Sequence, residues 1–164
     1  MNRIFVSIQT GPAAEACESE TFSGTVLEAF SAELPDFCTQ FAARVLEHRG
    51  KEGLDVSIVL CDDAFIADLN SMYRQKDGPT DVLSFEQGES YVSADGVKRI
   101  LAGDIVIALP SVQANAGAFG VAFTEELQRV IVHGLLHLDG MDHATNEPAE
   151  AMLQLQEQLL KELN

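Results

Sequence analysis

Basic residues are scarce in this chain. Ten lysines and arginines stand against 26 aspartates and glutamates, a formal net charge of −16 at pH 7. A field of that sign attracts cations and opposes polyanions over most of the surface, which counts against indiscriminate nucleic-acid binding. A cleft that gathers a few arginines can still hold a phosphate, and the bland reading of the charge is solubility alone. Cysteine is scarce too: Cys17, Cys38 and Cys61 are odd in number, far apart and without a CxxC pair. That excludes a disulfide framework and a zinc ribbon and leaves ordinary buried thiols. Long apolar runs are missing. No segment approaches the ~18 consecutive apolar residues of a membrane span, and "MNRIFVSIQTGP" lacks the apolar stretch and cleavage site of a secretory signal. The expectation is a cytoplasmic protein with no membrane partner.

At 164 residues and 46% hydrophobic, the chain supports one domain with a real core and is short for two. "RIFVSIQ" (3 to 9) alternates as a strand does, with Ile4, Val6 and Ile8 on one face. Residues 10 to 34 are small, acidic and poorly periodic at first, with a short helix near residues 26 to 30; they read as an insertion. A helix follows over 36 to 49, carried by Phe37, Phe41 and Val45 and stopped by Gly50. "LDVSIVL" (54 to 60) is a second strand, and 61 to 75 a helix capped by Asp62 or Asp63. Residues 81 to 85 and 104 to 109 read as further strands, with a turn signal at Ala94, Asp95 and Gly96 between β-prone runs. Helices are expected over 110 to 118, 124 to 138 and 147 to 162, the middle one opened by Thr124. No internal repeat or low-complexity tract interrupts this order. The expected fold is α+β or mixed α/β, a small sheet of about four strands packed against helices.

"HGLLHLDGMDH" (133 to 143) holds three of the four histidines. Residues four apart lie on one helical face, so His133 and His137 can aim both imidazoles at one ion. On an unbroken helix His143 would face elsewhere, about 600° of turn and roughly 9 Å further along. Gly140 is where the helix can stop, because glycine accepts the left-handed conformation that turns the chain back. Three imidazoles with an open fourth position describe a catalytic zinc site, whereas structural sites close with four protein ligands. Such an ion lowers the pKa of water toward neutrality. Zinc suits the set, and imidazole also suits nickel and copper. Asp139 and Asp142 are candidates to orient a ring nitrogen or supply a fourth ligand, or are solvated turn residues.

Gly134 stands where HExxH proteases place a glutamate that moves the proton during hydrolysis. Glycine can do neither half of that task, which shifts the odds from peptides toward phosphate esters, whose oxygens gain more from a nearby cation. Upstream, "LNSMYRQKDGPTDVLSF" (69 to 85) is basic and turn-rich. Arg74 can clamp a phosphate through its forked donors, or can serve only as a surface arginine at a helix end.

"LNSMYRQKDGPTDVLSF", "AGDIVIALPSVQANA", "HGLLHLDGMDH" and "AMLQLQE" occur in the order and character of the YbeY family, bacterial endoribonucleases of ribosomal RNA maturation, which the chain resembles over roughly residues 54 to 160. The resemblance implies one α/β domain, a metal on His133, His137 and His143, and a functional arginine at Arg74. It further implies cleavage of single-stranded RNA, maturation of small-subunit (16S) rRNA and ribosome quality control, with the small subunit and its proteins as partners. Two positions depart: Met141 replaces an aromatic residue, and Glu86 follows "LSF" where proline is common.

The expectation is therefore a metal-dependent, single-strand-specific endoribonuclease with one Zn²⁺. Its metal ligands are His133, His137 and His143, and its catalytic residues Arg74 and His133. Asp104, Asp142 and a second water are candidates to take the proton. The alternatives are a zinc metallopeptidase, disfavoured by Gly134, and a ribosome assembly factor whose zinc is structural.

Overall fold

The apolar residues Val56, Ile58 and Leu60 alternate along one face of strand β2 (Leu54–Cys61), and Ile105 and Ile107 do the same on β4 (Lys98–Ala108). These two strands form the centre of a sheet ordered β1-β2-β4-β3, with β1 (Arg3–Gln9) and β3 (Val82–Val92) at the edges. β1 and β4 run parallel to β2; β3 runs antiparallel to β4. The computed structural model describes residues 1–9 and 33–163. The helices are α1 (Leu34–His48), α2 (Asp63–Leu69), α3 (Leu109–Phe119), α4 (Phe123–Leu138) and α5 (Ala151–Leu163). The described residues form a single α+β domain, as expected.

The main core lies where α1 and α4 cover one face of the sheet and α5 packs against both helices; Phe41, Val45, Leu127, Ile131 and Leu160 belong to it. A smaller cluster under α2, made of Cys61, Ile66, Leu83, Val106 and Ala108, occupies the opposite face. Cys38 and Cys61 are free and buried, and burial pushes both thiols up to about 12. Between the central strands β4 and β2, Arg99 donates from Nε to Asp55 Oδ1 at 2.7 Å, and both side chains are buried.

Several boundaries differ from the sequence pattern. β3 and β4 reach well beyond 81 to 85 and 104 to 109, because main-chain pairing carries the hairpin through polar, exposed positions such as Glu89 and Ser90. Leu109 already belongs to α3. The pairing skips Ala102, next to Gly103, where φ is +140° and a Cβ would lie 2.1 Å from the Phe85 carbonyl oxygen; this bulge resets which side chains face which way. Asp62 caps α2 by accepting from the Phe65 amide at 2.8 Å. The segment expected as one helix over 61 to 75 instead passes into a π-turn, Asn70–Arg74, closed by Gln75 at a left-handed φ of 55°. Helix α4 starts after Ala122, with no side-chain cap, so Thr124 does not open it. α5 starts four residues later than the pattern suggests, at Ala151. The expected helix over 26 to 30, and nearly all of the insertion at 10 to 34, lie outside the described residues.

Gly134 has a packing reason. A Cβ there would lie 2.6 Å from Ile105 Cγ2 and 3.0 Å from its Cδ1, inside any tolerable contact. The side chain it would strike is β-branched and fixed on a central strand. The close approach of α4 to β4 thus leaves no room for the protease glutamate, a packing reason that stands beside the chemical one. Gly134→Ala is expected to destabilise the fold by about 1–3 kcal/mol through overpacking, although alanine alone favours helix by about 1 kcal/mol. In an Ile105→Ala background the same substitution is expected to cost much less. A urea double-mutant cycle reads that coupling, and additive effects would contradict the contact.

Candidate metal centre

Helix α4 buries Leu127, Val130, Ile131 and Leu135, which leaves His133 and His137, one turn apart, at the edge of that apolar face. The helix then ends in the manner glycine permits. Gly140, at φ +78°, donates its N–H to His137 O at 2.9 Å, and the Met141 N–H reaches Leu136 O at 3.0 Å. These crossed bonds satisfy the last helical carbonyls and reverse the chain. His143 returns to its neighbours: its ring centroid lies 5.1 Å from that of His133 and 5.3 Å from that of His137. One ring nitrogen from each of the three lies within 4.8 Å of the other two.

Hydrogen bonds choose which nitrogen that is. Nδ1 of His133 faces Gln156 Oε1 at 2.9 Å, Nδ1 of His137 the Met141 carbonyl at 3.0 Å, and Nδ1 of His143 the Thr145 carbonyl at 3.0 Å. A carbonyl oxygen only accepts, so each Nδ1 carries the hydrogen and each Nε2 keeps its lone pair. His133 Nε2 and His137 Nε2 then stand 3.1 Å apart with no hydrogen between them. Two lone pairs at that distance suit a shared cation: zinc–imidazole bonds of about 2.0–2.1 Å in tetrahedral geometry set donors roughly 3.3 Å apart. Burial, together with the neighbouring imidazoles, holds the pKa of His133 and His137 below the ordinary histidine range. Both therefore stay neutral, the state a metal ligand needs. The donor set fits a divalent metal ion.

Opposite the histidines, Arg74 at the end of the π-turn and Lys76 beyond it line a cleft of about 480 Å³ with His133, His137 and His143. The cleft continues as a space of about 390 Å³ past Arg74, Ser84, His137 and Asp142. Arg74 and Lys76 have exposed side chains that make no ion pair among the described residues. Arg129, also on the wall, is held by Glu126 at 2.6 Å and Glu157 at 3.1 Å. The pattern at 69 to 85 thus places Arg74 at the site.

The aspartates divide. Asp139 pairs with Arg49 at 2.6 Å and with Lys51, so it neither ligates nor orients a histidine of the triad. Asp104 lies beside Phe85 on the opposite face of the sheet and accepts from Gln87 at 2.8 Å; it cannot take a proton in the cleft. Asp142 remains at the rim, 3.9 Å from His137 Nδ1, and its carboxylate accepts the His143 N–H at 2.8 Å. Met141 holds His137 through its backbone carbonyl and packs its side chain against the core. Two contributors escaped the sequence reading, Ser84 and Gln156. The signal for Gln156 was a glutamine on the apolar stripe of Met152, Leu159 and Leu160; it is 6% exposed.

Known proteins share this chain's pattern. The family model described as Endoribonuclease YbeY matches residues 25–164. A protein named Endoribonuclease YbeY from Treponema denticola is 53% identical over 120 residues, covering 73% of this chain and 77% of that protein. One of the same name from Sulfurihydrogenibium is 39% identical over 138 residues, covering 83% and 88%. The solution structure of TM1509 from Thermotoga maritima aligns with 99% of this chain and 89% of its own, at 27% identity and a TM-score of 0.51.

Removing the amide that orients His133, in Gln156→Leu, is expected to weaken zinc affinity by about 10–100-fold in chelator competition. Unchanged affinity would show that the tautomer is set elsewhere. Because the folded-state pKa of His133 and His137 lies below the unfolded value of about 6.5, their contribution to stability is full above that pH. It is lost as pH falls through the unfolded value toward the depressed folded ones, since the unfolded chain then binds more protons. Zinc affinity should fall over the same acidic range, and calorimetric titration between pH 7.5 and 5 reads it.

Proposed function

The chain belongs to the YbeY endoribonuclease family, and on that premise we propose that it is a metal-dependent endoribonuclease that cuts single-stranded RNA, precursor small-subunit rRNA above all. The observation that carries this reading is the meeting, across one open cleft, of three imidazoles whose Nδ1 atoms are engaged elsewhere and an arginine with no ion pair among the described residues. Zinc, held by His133, His137 and His143, supplies Lewis-acid stabilisation of phosphoryl charge and a lowered pKa for water.

The chain's own groups do the rest. Arg74 presents a planar fork of donors that matches two phosphate oxygens and offsets the charge developing on them. Lys76, adjacent and without an ion pair among the described residues, draws the backbone into a cleft whose surroundings are acidic. His133 acts as a ligand alone: Gln156 occupies its Nδ1, and its Nε2 faces the other imidazoles. With Gly134 unable to carry a side chain and Asp104 on the other face, Asp142 is the carboxylate lining both parts of the cleft, and this reading assigns it the departing proton. Single strands suit such a site because their splayed phosphates enter where a duplex does not.

The peptidase alternative loses its basis in the packing of Gly134 on Ile105, which bars a glutamate from that position. A structural zinc would want a fourth protein ligand; Asp139 is bound to Arg49 and Lys51, and Asp142 lies beside Nδ1 of His137, the nitrogen turned to the Met141 carbonyl, and accepts the His143 N–H. No helix among the described residues is long and apolar enough to cross a membrane, and action in the cytoplasm, on or near the small ribosomal subunit, accords with such a substrate.

Cleavage of a single-stranded RNA oligonucleotide is expected to stop on chelation and return with added metal. Arg74→Ala is expected to lower kcat by about 10²–10³-fold, with Arg74→Lys recovering only part because a point charge replaces the fork. His137→Ala should abolish both metal binding and cleavage. Activity that survives both alanine substitutions would sink the mechanism.

A further inference from the structure

We propose that Ser84 binds the substrate, its hydroxyl donating a hydrogen bond to a non-bridging oxygen of the phosphodiester held by Arg74; this rests on the ribonuclease reading above. Among the described residues, Ser84 Oγ is the buried side-chain oxygen or nitrogen left without a hydrogen-bond partner. Folded proteins rarely leave such an atom unpaired, because its lost hydration is not repaid.

Its position says what the hydroxyl is for. Ser84 sits on edge strand β3, cross-strand from Ile105, the residue against which Gly134 packs. Its face of the strand is thus the face turned toward α4 and the histidines, where Val82 keeps an ordinary apolar side chain. Ser84 lines both parts of the cleft, in company with Arg74, His137 and Asp142. A phosphate reaching from the Arg74 guanidinium toward the three imidazoles passes this wall, and a change of the serine rotamer about χ1 brings its covered Oγ to the cleft surface. A neutral donor there can bind a phosphate oxygen without repelling the cation that the histidines hold, as a lysine would.

A purely structural serine would lose stability when replaced. A substrate-binding serine whose hydroxyl has no partner in the protein should do the reverse: Ser84→Ala is expected to leave the melting temperature unchanged or raise it. Zinc affinity should also be unchanged, while kcat/KM for single-stranded RNA falls by about ten-fold, the loss of one hydrogen bond to a charged acceptor. Ser84→Cys, close in volume and a poor donor, should fall likewise, and Ser84→Thr, which keeps the hydroxyl, should retain most of the activity. The experiment compares these variants with wild type and Arg74→Ala, each loaded with zinc, by melting, chelator competition and cleavage kinetics. Wild-type kcat/KM in Ser84→Ala and Ser84→Cys, in a protein whose cleavage depends on Arg74, would overturn this proposal and leave the function standing. A fall in activity that tracks lost stability or lost zinc affinity would overturn it in favour of a structural role. If metal-loaded wild type cuts no RNA, the functional reading fails, and this proposal with it.

Discussion

The contact between Gly134 and Ile105 sets how close helix α4 lies to the sheet, and the geometry of the cleft follows from that distance. With no side chain at position 134, the helix axis moves inward until its backbone touches a branched residue of the central strand β4. His133 and His137 flank this contact, so their ring positions are fixed relative to β3 as well as to each other. Helix α4 packs extensively against β3, the strand that carries Ser84 and follows the segment bearing Arg74. A helix held further out would carry two of the three imidazoles away from the arginine that faces them. The glycine is therefore less an empty catalytic position than the means by which the three imidazoles and Arg74 share one cleft.

Convergence of the imidazoles is a second, separate achievement, made by backbone carbonyls and one amide. The loop that Gly140 begins supplies the acceptors for His137 and His143 within a few residues, from Met141 and Thr145. The acceptor for His133 comes instead from α5, through Gln156, which is braced by Glu157 and Arg129. The C-terminal helix thus reaches the metal site by a hydrogen bond rather than a ligand. A chain of charge −16 still has cations on the rim of this cleft: Arg129 is neutralised by its carboxylates, whereas Arg74 and Lys76 have no ion pair among the described residues.

What the sequence revealed is what local spacing governs. His133, His137 and His143 were legible because helical periodicity and one helix-ending glycine suffice to relate them, and Arg74 because a basic cluster beside Gly78 and Pro79 is conspicuous in so acidic a chain. Asp104 was misplaced for an equally physical reason: strand parity decides its face, and the bulge at Gly103, with Ala102 skipped, resets parity in a way that no alternation pattern announces. The full length of β3 was hidden because an edge strand with polar, exposed residues lacks the apolar alternation of a buried one. Gly134 was noticed, but its packing role was hidden, since the atom that excludes a side chain there belongs to Ile105, twenty-nine positions earlier in the chain. Gln156 and Ser84 depend likewise on contacts between elements distant in sequence.

The central claim is that one divalent ion sits on three Nε2 atoms and leaves a coordination position open to the cleft. X-ray absorption at the metal edge of the zinc-loaded protein tests it most directly. The account predicts one ion per chain, three imidazole nitrogens at about 2.0–2.1 Å and one further light-atom ligand, with one imidazole lost in His143→Ala. Sulfur in the coordination shell, fewer than three imidazoles, or a spectrum unaltered by that substitution would contradict it.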